Sequence, residues 1–182
     1  MMSIGVFGGF SAGEGEQYRT AARELGTLIG QGGHRLVYGG GRGGLMGEVA
    51  AATLAAGGTA LGVIPEFLVA RDRIAHTPIH PVVHTPDLFE RKRIMIAESD
   101  CFVALPGGYG TLDEVLDVVA MRALGVLSAP LVLLDIDGAW QGFLTVTGDL
   151  RSRGFIRRDP GFQLADTAAA AFTHLASLHP VS

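Results

Sequence analysis

Short continuous apolar runs alternate along the chain with stretches in which apolar residues recur every three or four positions. The runs Ile4–Gly8, Leu36–Tyr38, Thr59–Ile64, Val82–His84, Cys101–Leu105 and Leu131–Leu134 read as strands, and Phe162–Ala165 as a short last one. The amphipathic stretches between them predict helices over about Gln17–Gly30, Leu45–Ala56, Asp87–Glu98, Leu112–Leu124, Ala139–Arg153 and Ala168–Leu178. Glu66–Pro78 is polar, shows no period and reads as a loop that could border a site. Strands without polar alternation are buried on both faces, and in strict alternation with helices they imply a parallel sheet covered on both sides. The expected fold class is therefore α/β. A single doubly wound, Rossmann-like domain over residues 1–182 would hold a mostly parallel sheet of about six or seven strands.

Such sheets bind ligands at the carboxyl ends of their strands. Three glycine-rich loops fall at such ends: Gly8–Gly15, Gly39–Gly44 and Pro106–Gly110. Glycine lets the backbone turn tightly and approach a phosphate, which then sits on the amide-rich end of the following helix. Gly39 through Gly41 to Gly44 also fits G-x-G-x-x-G, and Glu66 lies about twenty positions beyond, where a dinucleotide enzyme places its ribose-binding acid. That match follows the second strand rather than the first, and a tight packing turn would look the same.

The loop Pro106-Gly107-Gly108-Tyr109-Gly110-Thr111 is sharper. Its glycines free successive amides for an anion and Thr111 adds a hydroxyl, while the lysine of a Walker A loop is missing. Thr111-x-x-Glu114 fits a capping box, in which Glu114 would only bond back to the Thr111 amide. Spacing alone favours the cap; the position of the loop also sets the carboxylate beside any ligand held there. Glu90-Arg91-Lys92-Arg93 would ordinarily be a solvated helix face. Its helix lies between the fourth and fifth strands, however, so one side, shared by Arg91 and Met95, could adjoin the Pro106 loop.

Composition narrows the ligand. The 182 residues are 48% hydrophobic and 18% charged, enough apolar content for a sizeable core. A net charge of −4 argues against gripping a nucleic-acid polymer, though not against a small phosphate held by local amides. Cys101 is the single cysteine, which rules out an internal disulfide. Lys92 is the single lysine, so any Schiff-base chemistry would have to run through it. No metal site is expected, since His76, His80 and His84 fall on a loop and a strand that would not align them. Met1–Phe10 reads as a first strand rather than a signal peptide, and no apolar stretch approaches a membrane span of roughly 18 residues. Cytoplasm is the expected compartment.

Gly39-Gly40-Gly41-Arg42-Gly43-Gly44-Leu45-Met46-Gly47, Glu90-Arg91-Lys92 with Met95, Ser99-Asp100, and Pro106-Gly107-Gly108-Tyr109-Gly110-Thr111-Leu112-Asp113-Glu114 occur in that order. Together they resemble the LONELY GUY (LOG) family of cytokinin riboside 5′-monophosphate phosphoribohydrolases, often mislabelled lysine decarboxylases. The resemblance runs from Ile4 to about Ile156. It implies hydrolysis of the N-glycosidic bond of an N6-modified adenosine 5′-monophosphate, without metal or cofactor, with Arg91 and Glu114 as the catalytic pair. Ser11, Gly40, Gly41, Lys92, Met95, Gly107, Gly108, Tyr109, Gly110 and Thr111 would bind the nucleotide, and the protein would be a homodimer. Glu114 could stabilise the oxocarbenium-like state, hold a ribose hydroxyl or activate water. Arginine keeps its proton at working pH, so Arg91 would stabilise negative charge on the phosphate or the departing purine.

Two departures touch the expected pocket wall. Family members commonly carry Met-His where Leu88-Phe89 stand here, and Cys-Gly-Ser-Ser where this chain reads Gly8-Gly9-Phe10-Ser11. Both bear on base selectivity. The scaffold also resembles molybdenum-cofactor carrier proteins, which makes a carrier without turnover the alternative. A dinucleotide-binding module using Gly39–Gly44 and Glu66 is a third.

Overall fold

A computed structural model describes residues 1–72, 80–158 and 161–178. Seven parallel strands form one sheet: β1 (Ser3–Phe7), β2 (Arg35–Tyr38), β3 (Thr59–Pro65), β4 (Val82–Thr85), β5 (Cys101–Ala104), β6 (Leu131–Leu134) and β7 (Gln163–Ala165), in the spatial order β4-β3-β2-β1-β5-β6-β7. The helices are α1 (Glu16–Gln31), α2 (Gly44–Ala55), α3 (Glu66–Asp72), α4 (Leu88–Ala97), α5 (Tyr109–Ala123), α6 (Gln141–Ser152) and α7 (Ala168–Leu178). The expected doubly wound α/β architecture is what is observed.

Side chains leave each strand to alternate faces, and this sorts the core into two layers. Ile4, Val6, Cys101 and Val103 pack with Leu25, Ile29, Val49 and Leu175 of α1, α2 and α7. Phe7, Phe102 and Ala104 pack on the other face with Met95, Val115, Val118 and Trp140, and the Phe7 and Phe102 rings stack with centroids 5.5 Å apart. Each fully buried side chain of this size contributes roughly 1.5–3 kcal/mol through apolar area removed from water. Ile4 lies opposite Leu36 on one side and Cys101 on the other, so β1 is interior to the sheet. The strand order reverses direction between β1 and β5, the switch point at which sheets of this kind open a ligand crevice.

One expectation is corrected. Glu66–Asp72 is a helix rather than a loop, while residues 73–79 of that segment, His76 included, lie outside the described residues. Pro65 ends β3, Glu66 favours the positive end of the helix, and buried Val69 with half-buried Leu68 anchors it. Seven residues are too few to show a helical period. Smaller shifts occur at α5, which begins three residues before the expected Leu112, and at α6, which is preceded by a separate 3₁₀ turn over Ile136–Gly138.

Candidate active site

The carboxyl ends of β1, β2, β3, β5 and β6 open into a cavity of about 800 Å³, within the range of small-molecule sites. All three glycine-rich loops contribute to it. The loop after β1 is tied to the loop after β5 where Gly9 N donates to Pro106 O at 3.1 Å, and to the start of α2 where Leu45 N donates to Gly9 O at 3.0 Å. Gly107 is required by close approach: a β-carbon there would stand 2.1 Å from Thr111 Oγ1 and 2.9 Å from Gly9 N. The helix α5 then starts on Gly108 with no side-chain cap, leaving first-turn amides for a ligand beside the buried Thr111.

This start position removes the capping box. With the cap at Gly108, Thr111 is the third helical residue and Glu114 lies beyond the first turn, out of capping register. Glu114 instead sits on the inward side of α5 and accepts from Arg91 Nη2 at 2.9 Å; the side chains are 6% and 11% exposed. Arg91 projects from α4, whose first turn is fixed by Asp87 accepting from the Glu90 amide at 2.8 Å. Its guanidinium crosses the face of Gly39, where a β-carbon would stand 2.0 Å from Nη2. Burial pushes the Glu114 carboxyl up to about 7; Arg91 opposes that shift and the neighbouring Asp113 adds to it. Arg91 Nε is buried and has no acceptor among the described residues. A buried donor in that state costs about 1–3 kcal/mol until an acceptor arrives.

Among the expected binding residues, Ser11, Gly41, Gly107, Gly108, Gly110 and Thr111 line the cavity together with Arg91 and Glu114. Four others are placed elsewhere. Met95 is core, packed beneath the sheet. Tyr109 is 92% exposed, because the first residue of α5 points away from the cleft. Gly40 takes φ +72° and turns its back on Ile64 while its neighbours face the cavity. Lys92 is turned away from Arg91 by the helical step and bonds Asp113 at 2.8 Å and Asp117 at 2.6 Å. Desolvation lowers its pKa, but the two carboxylates outweigh this and hold it above the ordinary lysine value. The described lining of the cavity thus holds no lysine for Schiff-base chemistry.

Sequence reasoning missed the apolar end of the cavity. Leu45 and Met46 of α2, Ile64 of β3 and Leu68 of α3 form it, with Phe10 and Tyr18 on the first loop side. The usable signal was the border role assigned to the segment after Ile64. Glu66, by contrast, is exposed on α3 and does not reach the lining, so the dinucleotide reading loses its ribose acid.

A family model described as possible lysine decarboxylase matches residues 46–175. The chain is 43% identical over 152 residues to a cytokinin riboside 5′-monophosphate phosphoribohydrolase of Arabidopsis thaliana, covering 84% of this chain and 66% of that one. To a second Arabidopsis thaliana enzyme of the same name it is 41% identical over 153 residues, 84% of this chain and 71% of the other. The chain belongs to this phosphoribohydrolase family. It spans about two thirds of the length of these relatives. Among solved structures, the molybdenum cofactor carrier protein of Chlamydomonas reinhardtii superposes with a TM-score of 0.67 at 29% identity, covering 97% of each chain. The expected family is thereby found, and the carrier likeness is one of architecture with moderate identity.

Proposed function

We propose that this chain hydrolyses the N-glycosidic bond of N6-modified adenosine 5′-monophosphates to the free base and ribose 5-phosphate. The observation that carries the reading is the buried Arg91–Glu114 pair in the cavity wall beside the uncapped start of α5. The 5′-phosphate sits on the Gly107–Gly110 amides and the Thr111 hydroxyl, which places the ribose over Glu114. The base extends toward Met46, Ile64 and Leu68, an apolar end suited to an N6 substituent. Breaking C1′–N9 sends the bonding pair to the purine and leaves positive charge on C1′. A water oxygen bonds to C1′, Glu114 takes one proton from that water, and this proton is passed on to a nitrogen of the departing purine, which restores the carboxylate. Ionised Glu114 also opposes the charge developing on C1′. Arg91 keeps free donors for negative charge on the phosphate or the leaving base.

We place the chain in the cytoplasm as one nucleotide-binding unit that pairs as a homodimer. Among the described residues no helix is long and apolar enough to cross a membrane. Phe89 and Tyr109, 80% and 92% exposed, stand on α4 and α5 as a surface for a second copy. A carrier without turnover is the second reading, favoured by the likeness to the molybdenum cofactor carrier protein. Chromatography of products from a panel of nucleoside monophosphates separates the two. Free base with ribose 5-phosphate is expected; bound but intact nucleotide would establish the carrier.

A further inference from the structure

The residue that distinguishes the two ends of the cavity is Phe10. It is a large apolar side chain, 55% exposed, and it belongs to neither core layer although it lines the cleft. An exposed aromatic at such a place is ordinarily free to swing, but here the backbone beside it is fastened at two points. Gly9 donates to Pro106 O and accepts from Leu45 N, so the loop is pinned to β5 on one side and to the start of α2 on the other. The ring leans on the second glycine loop. A β-carbon on Gly41 would lie 3.6 Å from Phe10 Cδ2, and one on Gly43 would lie 3.8 Å from Cζ, ordinary contact distances. One edge of the ring therefore faces the second glycine loop across room for a β-carbon, and the side chain, 55% exposed, borders the cavity.

We propose that Phe10 is the specificity-determining residue for the base: its open ring face is the platform on which the purine stacks. This rests on the nucleotide reading above and assigns different work to the two glycine loops. The ring stands in front of Gly41 and Gly43, so an aromatic shares that part of the cavity with the glycine loop. The phosphate then goes to the open amides of Gly107–Gly110, and the base lies toward Phe10. An aromatic platform reads the π face of the base and not its edge, which suits a base whose N6 edge carries a substituent. Among the described residues the charged groups lining the cavity are Glu14, Arg91 and Glu114, and of these exposed Glu14 stands on the Phe10 loop.

The test measures binding of two probes, AMP and ribose 5-phosphate, to a Glu114→Gln parent, whose turnover is expected to fall about a hundredfold or more, at times short of AMP cleavage. Phe10→Ala and Phe10→Trp are added on that background. Phe10→Ala is expected to weaken AMP about tenfold or more, as for loss of one base–aromatic stack, and to leave ribose 5-phosphate within about twofold. Phe10→Trp is expected to hold AMP at the parental affinity. Equal weakening of both probes would make Phe10 a loop support and overturn the platform, as would unchanged AMP binding. Failure of the parent to bind either probe would instead overturn the substrate reading, and the platform with it.

Discussion

Arg91 and Lys92 are neighbours on α4, and each pairs with carboxylates of α5, yet the two pairings differ in nearly every physical respect. Arg91 meets Glu114 at 2.9 Å inside the cavity wall, with both side chains about nine-tenths buried. Lys92 meets Asp113 and Asp117 at the outside of the same helix pair, where those carboxylates are 56% and 42% exposed. The Glu114 carboxyl is pushed up to about 7, into the range where it can exchange a proton at working pH, because burial penalises its charge more than Arg91 relieves it. Lys92 is only made a more stubborn cation. Identical charge types one residue apart thus face the cavity on one side, where the proposed chemistry lies, and tie α4 to α5 on the other.

Removing the inner carboxylate should have the largest effect. Glu114→Gln preserves shape and hydrogen bonding but neither charges nor accepts a proton, and should lower kcat about a hundredfold or more. Folding is checked by circular dichroism; a folded variant with normal turnover would place Glu114 outside the chemistry. Arg91→Ala comes next, with kcat/KM down about tenfold or more, the worth of a charge-assisted hydrogen bond. The split between kcat and KM then reports whether Arg91 holds the ground-state phosphate or the departing base.

A subtler break leaves both members of the inner pair in place. Gly39→Ala puts a methyl 2.0 Å from Arg91 Nη2, which must swing away from Glu114. A displacement of this size should cost roughly tenfold to a hundredfold at neutral pH. It also carries a signature that simple misfolding lacks. In the proposed mechanism the ionised carboxylate is the working form, so kcat/KM of the native protein should rise through pH about 7 and level off above it. Arg91 lowers the Glu114 pKa, so losing it should carry the inflection upward in Gly39→Ala, with activity partly recovered at alkaline pH. Superposable profiles for the variant and the native protein would refute the seating role of Gly39. The same titration acts on stability with a defined sign. A carboxyl raised from 4.5 to about 7 in the fold favours folding below about 4.5, and that contribution is lost as pH rises through about 7.

The architecture was legible because continuous apolar strands and amphipathic helices alternate without ambiguity, and the glycine loops at strand ends located the cleft before any coordinates. What escaped was direction around a helix. Arg91 and Lys92 are adjacent in the chain and Tyr109 and Thr111 are two positions apart, but the 100° step per residue sends one of each pair into the cavity and the other out. Resolving that step requires the helix start, and α5 begins three residues earlier than its apolar period indicates, on glycines that carry no hydrophobic signal. The capping register that spacing alone favours at Thr111 and Glu114 fails for the same reason. Leu68 escaped for another reason: its helix is too short to register as periodic, so the stretch that completes the apolar end of the cavity beside Ile64 of β3 read as loop.

The smallest expected effect belongs to Lys92, and it is the sharpest check on the comparison. Lys92→Met keeps the unbranched stem and its packing while deleting the cation, so the pairs with Asp113 and Asp117 and the ammonium's contact with the exposed Phe89 ring are lost. With carboxylates about half exposed, such pairs contribute about 0–1 kcal/mol after solvent screening. For a chain of this length that corresponds to a Tm lower by at most about 2–4 °C. High salt should shrink even this difference, since exposed pairs are screened and the inner pair is not. Turnover should stay within about threefold of the native protein, because the methionine leaves Arg91 seated on Gly39 and Glu114 facing the cleft. Thermal melts at two salt concentrations and steady-state kinetics on the same sample decide it. A folded Lys92→Met protein that loses activity more than tenfold would mean that the outer cation reaches the substrate, and the division between the inner and outer pairs would fall.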